Sequence, residues 1–139
     1  MVVADGAGIP LAVQLASASP HEVTLIESTL QQIRIPRPGP GRPRTRPRRL
    51  IYYKAADSDP LRKRLAQRQI DLVSPNRSNK KVKTQDGRKL RRYKRRWKIE
   101  RTISWVGGFR RLIVRHDRLP TMYMAFVHLA CVLITFRNL

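Results

Sequence analysis

Residues 90–112 read LRRYKRRWKIERTISWVGGFRRL. On a helix of 3.6 residues per turn, Tyr93, Trp97, Glu100 and Ser104 fall at i, i+4, i+7 and i+11, on one face. That face carries aromatics and is expected to point inward, while Arg91, Arg92, Arg95 and Lys98 spread around the rest of the wheel. Glu100 is then a carboxylate on the apolar side of a very basic helix. Such a charge needs a cation, a metal ion or a proton beside it. Two readings stay open: a structural ion pair with Arg96 one turn earlier, or a functional carboxylate.

The rest of the chain explains why this acid matters. Over 139 residues the formal charge is +21. Self-repulsion on that scale points to a polyanionic partner, with nucleic acid first, an anionic membrane surface second and an acidic protein third. The length suits one compact domain. The single cysteine, Cys131, rules out an internal disulfide framework and a cysteine-based zinc site. It fits a reducing cytoplasm and reads as a small core residue. The N-terminus lacks the basic and apolar regions of a signal peptide.

Upstream, VVAD at 2–5 and LAVQLAS at 11–17 read as strands, with Gly6, Gly8 and Pro10 between them, which suggests a β-hairpin. Asp5 sits where the first strand enters the turn, a common place for a turn aspartate. Ser19, Pro20 and Glu22 mark a helix start, with Ser19 as cap. That helix carries Val23, Leu25, Ile26, Leu30 and Ile33 and stops at Pro36. Residues 34–49, RIPRPGPGRPRTRPRR, are too rich in Pro, Gly and Arg to build a core. They read as an extended basic loop, with Arg44, Arg46 and Arg48 placed to meet phosphates. LIYYKAA at 50–56 is a strand candidate. Asp59 and Pro60 open a helix running to about Arg68 with Leu61 and Leu65 inward, and IDLVS at 70–74 is a further strand. Strand, helix, strand implies neighbouring parallel strands. Residues 75–89 form a second basic loop, with Arg77, Lys80 and Lys81 as phosphate contacts. Arg92 and Arg96 follow on the late helix.

Downstream, TMYMAFVHLACVLITFRNL after Pro120 is apolar nearly all round and reads as a buried packing helix. It is short for a span of about 20 residues. His128 falls inside it as a core or interface residue, and neither His21 nor His116 shares a metal-binding spacing with it.

Three positions now stand out: an acid after the first strand, the end of the strand at 50–54, and the acid on the late helix. Acids at these three places are the layout of the ribonuclease H-like fold, in which strand ends present carboxylates to two metal ions about 3.5–4 Å apart. The chain resembles the catalytic part of bacterial insertion-sequence DDE transposases, in the group whose last acid lies in a Tyr-Arg-Glu signature. VVADGAGIPLAVQL resembles the first-strand segment. KAADSDPLRKRLAQRQIDLVSPNRSN resembles the segment after the second aspartate. YKRRWKIERTISWVGGFRRLIVRHDRL is similar to the signature helix, and Tyr93, Arg96 and Glu100 keep its spacing. AFVHLACVLITFR matches the closing helix. The resemblance implies an α/β fold, a ribonuclease H-like mixed sheet flanked by helices, of which four strands are placed. It implies Asp5 and Glu100 as catalytic residues and metal ligands, Mg2+ or Mn2+ as two-metal cofactor, and Arg96 as a residue that orients Glu100 or contacts DNA. It implies DNA as partner (transposon ends and target), no membrane and a bacterial cytoplasmic location, and it admits a homo-oligomer.

The sequence departs from that pattern at its centre. In register, the middle aspartate position holds Tyr53. A neutral phenol, pKa about 10, is a poor ligand for a hard divalent cation. Asp57 lies four residues on, about 13 Å away along an extended chain. The lysine often found beyond the signature glutamate is replaced by Gly107. The family usually carries an upstream DNA-binding region, and here Met1 stands almost on the first strand. The expectation is a single DDE catalytic domain over 1–139, truncated and impaired in cleavage. A non-catalytic basic DNA-binding protein is the alternative, and a membrane-associated basic protein ranks third.

Overall fold

The computed structural model describes residues 1–85 and 87–138; Asp86, in the second basic loop, and Leu139 lie outside the described residues. The chain divides into two compact units, one of Met1–Thr45 with Lys98–Leu139 and one of Arg46–Trp97.

In the first unit, β1 (Val2–Ala4) pairs antiparallel with β2 (Pro10–Val13), as the Gly-rich turn predicts. The register shifts between Val3 and Ala4, so Ala4 faces Pro10. Helix α1 (Glu22–Gln31) packs on both strands and buries Ile26, Thr29 and Leu30. Ser19 does not cap it: the cap is His21, and no side chain closes the first turn. The Thr29 hydroxyl lies 2.9 Å from Gln14 Oε1 and ties the helix to the strand that follows the turn. The Pro/Arg-rich stretch is closed on itself by paired backbone hydrogen bonds between Ile35 and Arg44, both 2.9 Å. Gly39 and Gly41, at φ +98° and +142°, allow the reversal between them.

The C-terminal part of this unit holds α4 (Trp97–Gly107, from Lys98 on), α5 (Arg110–Ile113) and α6 (Pro120–Arg137). Val13, Leu112, Val127 and Ala130 form a small core, with Val2, Val106, Phe109, Tyr123 and Met124 packed around it. The sequence predicts that α6 is buried. Instead it buries only Val127, Ala130 and Ile134, and Met122, Leu129, Val132, Leu133 and Phe136 are exposed. A helix apolar all round needs neighbours on every side to be covered, and α6 packs on β2 and α5 alone among its larger contacts. By length and composition it is also long and apolar enough to cross a membrane. His128 is exposed and lines a groove of about 400 Å³ with Pro10, Val13, Cys131 and Phe136. Cys131 is half-buried, and burial pushes its thiol pKa up.

In the second unit, β3 (Arg49–Ile51) and β4 (Asp71–Val73) run parallel, joined by α2 (Asp59–Gln67), the βαβ unit the sequence predicts. Leu61 and Leu65 on α2 are buried, with Leu50, Leu72 and Val73 on the strands. The α2 cap is Ser58, one residue before the predicted Asp59. The helix ends through Gln69, whose φ of +58° lets the Ile70 amide reach back to Leu65 O at 2.8 Å. The described strands thus pair two by two, one pair in each unit, and the α/β class holds. Among the described residues two separate two-stranded sheets stand where the sequence predicts a single mixed sheet.

The decisive stretch is not one continuous helix. After α3 (Gly87–Leu90), residues Arg91–Arg96 form a 3-10 segment, and α4 starts at Trp97. Each 3-10 residue turns the chain about 120° instead of 100°. A single α-helical phase therefore does not run through Arg91–Arg96 into α4. Trp97 is 51% exposed, and Glu100 and Ser104 are exposed as well. The buried side of α4 carries Thr102, with Lys98, Arg101, Trp105 and Val106 half-buried beside it.

Leu65 is fully buried between α2 and the strands. Leu65→Ala is expected to lower stability by about 2–5 kcal/mol. Urea unfolding followed by circular dichroism checks this.

Candidate functional site

Asp5 closes the β1–β2 turn. Its Oδ1 accepts the amides of Ala7 at 2.8 Å and Ile9 at 2.9 Å, and its carbonyl accepts the Gly8 amide at 3.1 Å. The carboxylate therefore fixes the turn, as an aspartate in this position does. The turn is latched to α4 through its carbonyls. Lys98 Nζ donates to Gly6 O, Arg101 donates to Ala7 O at 2.6 Å, and the Thr102 hydroxyl is 2.6 Å from Gly8 O. Gly8 has φ +93°, and a Cβ there would lie 3.2 Å from the Arg101 and Thr102 side chains. Sequence reading passed over Lys98, Arg101 and Thr102. Their i, i+3, i+4 spacing was a visible signal, masked by the aromatic face chosen instead.

Glu100 belongs to the same helix. At 3.6 residues per turn it lies about 100–160° round the axis from these three residues. Tyr93 and Arg96 belong to the second unit, with the Arg96 guanidinium 5.7 Å from the Tyr93 ring centre. The strand predicted over 50–56 ends at Ile51 and Lys54–Ala56 form a 3-10 turn, so Tyr53 lies two residues beyond β3, in that unit, and is 36% exposed.

The residue that organises the second unit is Asp57. Its side chain is fully buried. Oδ2 accepts the Arg77 amide at 2.8 Å, and Oδ1 accepts Lys80 Nζ and Arg62 Nη2, each at 3.2 Å. Arg62 also donates to Leu72 O, Ser74 O and Gln85 Oε1, all at 2.9 Å. Gln85 Oε1 in turn accepts the Ser74 amide at 3.2 Å. Asp57 thus holds the middle of 74–85 at Arg77 and Lys80, and its partner Arg62 ties the two ends, Ser74 and Gln85, together. Burial alone would raise the Asp57 pKa, but the Arg77 amide, Lys80 and Arg62 outweigh it and hold the carboxyl below its usual range.

This knot sorts the expected phosphate contacts. Lys80 spends its three donors on Asp57, Asp59 at 2.5 Å and Thr84 at 3.1 Å. Arg77 donates to Ala55 O at 3.1 Å, and Arg46 to Gln69 Oε1 at 2.6 Å and Arg68 O at 3.3 Å. Arg44, Arg48, Lys81 and Arg92 are exposed.

Among the described residues no group of three or more His, Cys, Asp or Glu side chains is placed to hold a metal ion. Asp5 Oδ1 is committed to its turn, Asp57 to its cations, and a phenol stands at 53. With a phenol at 53, the described residues do not bring together the three carboxylates that a two-metal centre takes.

A hairpin turn latched to a helix in one unit, and a βαβ unit with an exposed tyrosine after its first strand in the other, make up an α/β chain. The model of the transposase DDE domain family matches residues 1–135, and the chain belongs to that family. It is 35% identical over 138 residues to a putative transposase for insertion sequence element IS402 from Burkholderia cepacia, across 99% of this chain. The chain spans 62% of that relative's length. No solved structure matches it.

Two outcomes follow from these contacts. A depressed carboxyl pKa stabilises the fold above the unfolded value of about 3.9, and that contribution is lost as pH falls through the lower folded value. The Arg77 amide resonance is therefore expected to move below about pH 4 and to stay constant from there to neutrality. Asp57→Ala, which leaves Arg62 without a carboxylate, Lys80 with Asp59 alone and the Arg77 amide without its acceptor, is expected to cost about 3–5 kcal/mol in urea unfolding.

Proposed function

We propose that the chain is the ribonuclease H-like catalytic part of a bacterial insertion-sequence transposase by descent. In this reading it acts on DNA in the cytoplasm, and its phosphodiester cleavage is impaired. The observation that carries the reading is the family match along 1–135, joined to Tyr53 at the position of the middle acid. The pattern of the family would make Asp5 and Glu100 the remaining metal ligands. Two carboxylates without the third hold Mg2+ or Mn2+ weakly, since a hard cation takes its affinity from the number of oxygen donors.

Binding to DNA does not depend on that centre. The +21 charge and the exposed Arg44, Arg48, Lys81 and Arg92 support contact with phosphates. Such contacts carry little sequence information. The same observation favours the second reading, a non-catalytic DNA-binding protein.

Nicking of supercoiled DNA with Mg2+ or Mn2+ separates the two. The chain itself is expected not to nick. Tyr53→Asp is expected to gain nicking, and Tyr53→Asp with Glu100→Gln to lose it again. Nicking by the unaltered chain would refute the impairment. All three proteins are expected to bind DNA, with affinity falling steeply as salt rises.

A further inference from the structure

The tyrosine that replaces an acid has a neighbour of the same kind. Tyr52 and Tyr53 stack on each other with ring centres 4.9 Å apart and planes inclined by 25°. Their backbone is held on three sides. The Tyr52 amide donates to Val73 O at 2.9 Å, the buried Ser74 hydroxyl to Tyr53 O at 2.9 Å, and the Ala56 amide to Tyr53 O at 3.0 Å. The pair stands at the carboxyl ends of two parallel strands, the side on which α/β sheets take ligands. Tyr53 keeps 36% of its surface exposed there.

Cations flank the pair. Lys54 follows directly and is exposed. Arg77 is fixed by its bond to Ala55 O, two residues from Tyr53, and its backbone is fixed by Asp57. An aromatic face that is already ordered loses little freedom on binding. With Lys54 next in the chain and Arg77 held at Ala55 O, it has the chemistry that holds unpaired bases: stacking on the ring and phosphate on the cations. Bases inside a duplex present no open face, so the ligand is a single strand.

We propose that Tyr52 and Tyr53, with Lys54 and Arg77, form a base-stacking site for single-stranded DNA at the end of β3. The substitution that weakens a metal site supplies a ring to stack on. The proposal rests on the reading of the chain as a DNA-binding protein, and names the form of DNA and the residues that hold it.

The test uses the full chain and two single-stranded DNA probes of about 12 nucleotides, one with bases and one abasic, by fluorescence anisotropy at low salt. One stacked base is worth about 1–3 kcal/mol, so the unaltered chain is expected to prefer the base-bearing strand by about tenfold or more. Tyr53→Leu is expected to lose that preference while binding the abasic strand as before. Tyr53→Phe is expected to keep it. A preference that survives in Tyr53→Leu, or that the unaltered chain does not show, overturns the stacking site and leaves DNA binding standing. Binding to neither probe overturns both. Should Tyr53→Leu fail to fold, judged by circular dichroism, the unaltered chain and Tyr53→Phe on the two probes still decide: tenfold in both supports the site, and no preference in either overturns it.

Discussion

The buried carboxylate of Asp57 is the constraint on which the second unit depends. It is surrounded by donors from three places in the sequence: the backbone of Arg77, the side chain of Lys80 and the side chain of Arg62. A charge without solvent is tolerable only when its lone pairs are met in this way. The loop that supplies two of these donors carries one aliphatic residue, Val82, which is exposed and builds no core of its own. Its order comes from the acid beneath it. Asp57 therefore cannot serve as a replacement metal ligand while it performs this task, and the distance from position 53 is not the only obstacle.

The same economy of charge runs through the first unit. Lys98 and Arg101 direct their cations at backbone carbonyls of the Asp5 turn, and Thr102 completes the set. A carbonyl row is a weak anion, and a basic helix can dock on it without a carboxylate. This choice sets which side of α4 meets the hairpin, and so sends Glu100 to another side. The latch holds Asp5 in place through its neighbours, leaving the carboxylate to close its own turn.

Much of this was legible from residue types alone, and the failures have physical causes. The hairpin was marked by Gly6, Gly8 and Pro10, and the βαβ unit by Pro60, Leu61 and Leu65, because turn chemistry and amphipathic spacing act locally. Glu100 is expected on an inward face because it shares that face with Trp97, yet Trp97 is 51% exposed and α4 buries the side of Thr102 instead, while Tyr93 lies in a 3-10 segment outside α4. A run of six residues with like charges and one aromatic gives no local signal that the turn will tighten. Asp57 was read as a surviving acid at a helix entrance, since its partners lie 5, 20 and 23 residues away in sequence. Burial of α6 was overestimated because composition records what a helix is able to bury, not what is present to cover it. The identity of the family, by contrast, was carried by whole segments and did not depend on any one of these residues.

The inward use of cations changes what the net charge means. Of the eight residues whose charge or position pointed to phosphate, Lys80 has no donor left over, while Arg46 and Arg77 are turned toward backbone and side-chain oxygens of their own unit. The charge is therefore not a uniform coat. Part of it holds loops in shape, and part faces solvent at Arg44, Arg48, Lys81 and Arg92. Fixed cations are weaker as a long-range attractant than mobile ones are as an adaptable coat, but they are better at defining a place. Arg77 is fixed at Ala55 O, two residues along the chain from Tyr53, and in the proposed site a strand held there meets a ring as well as a charge. In the proposed reading, Tyr53 in place of an acid leaves less negative charge at that place, which favours the approach of phosphate as much as it disfavours a metal ion.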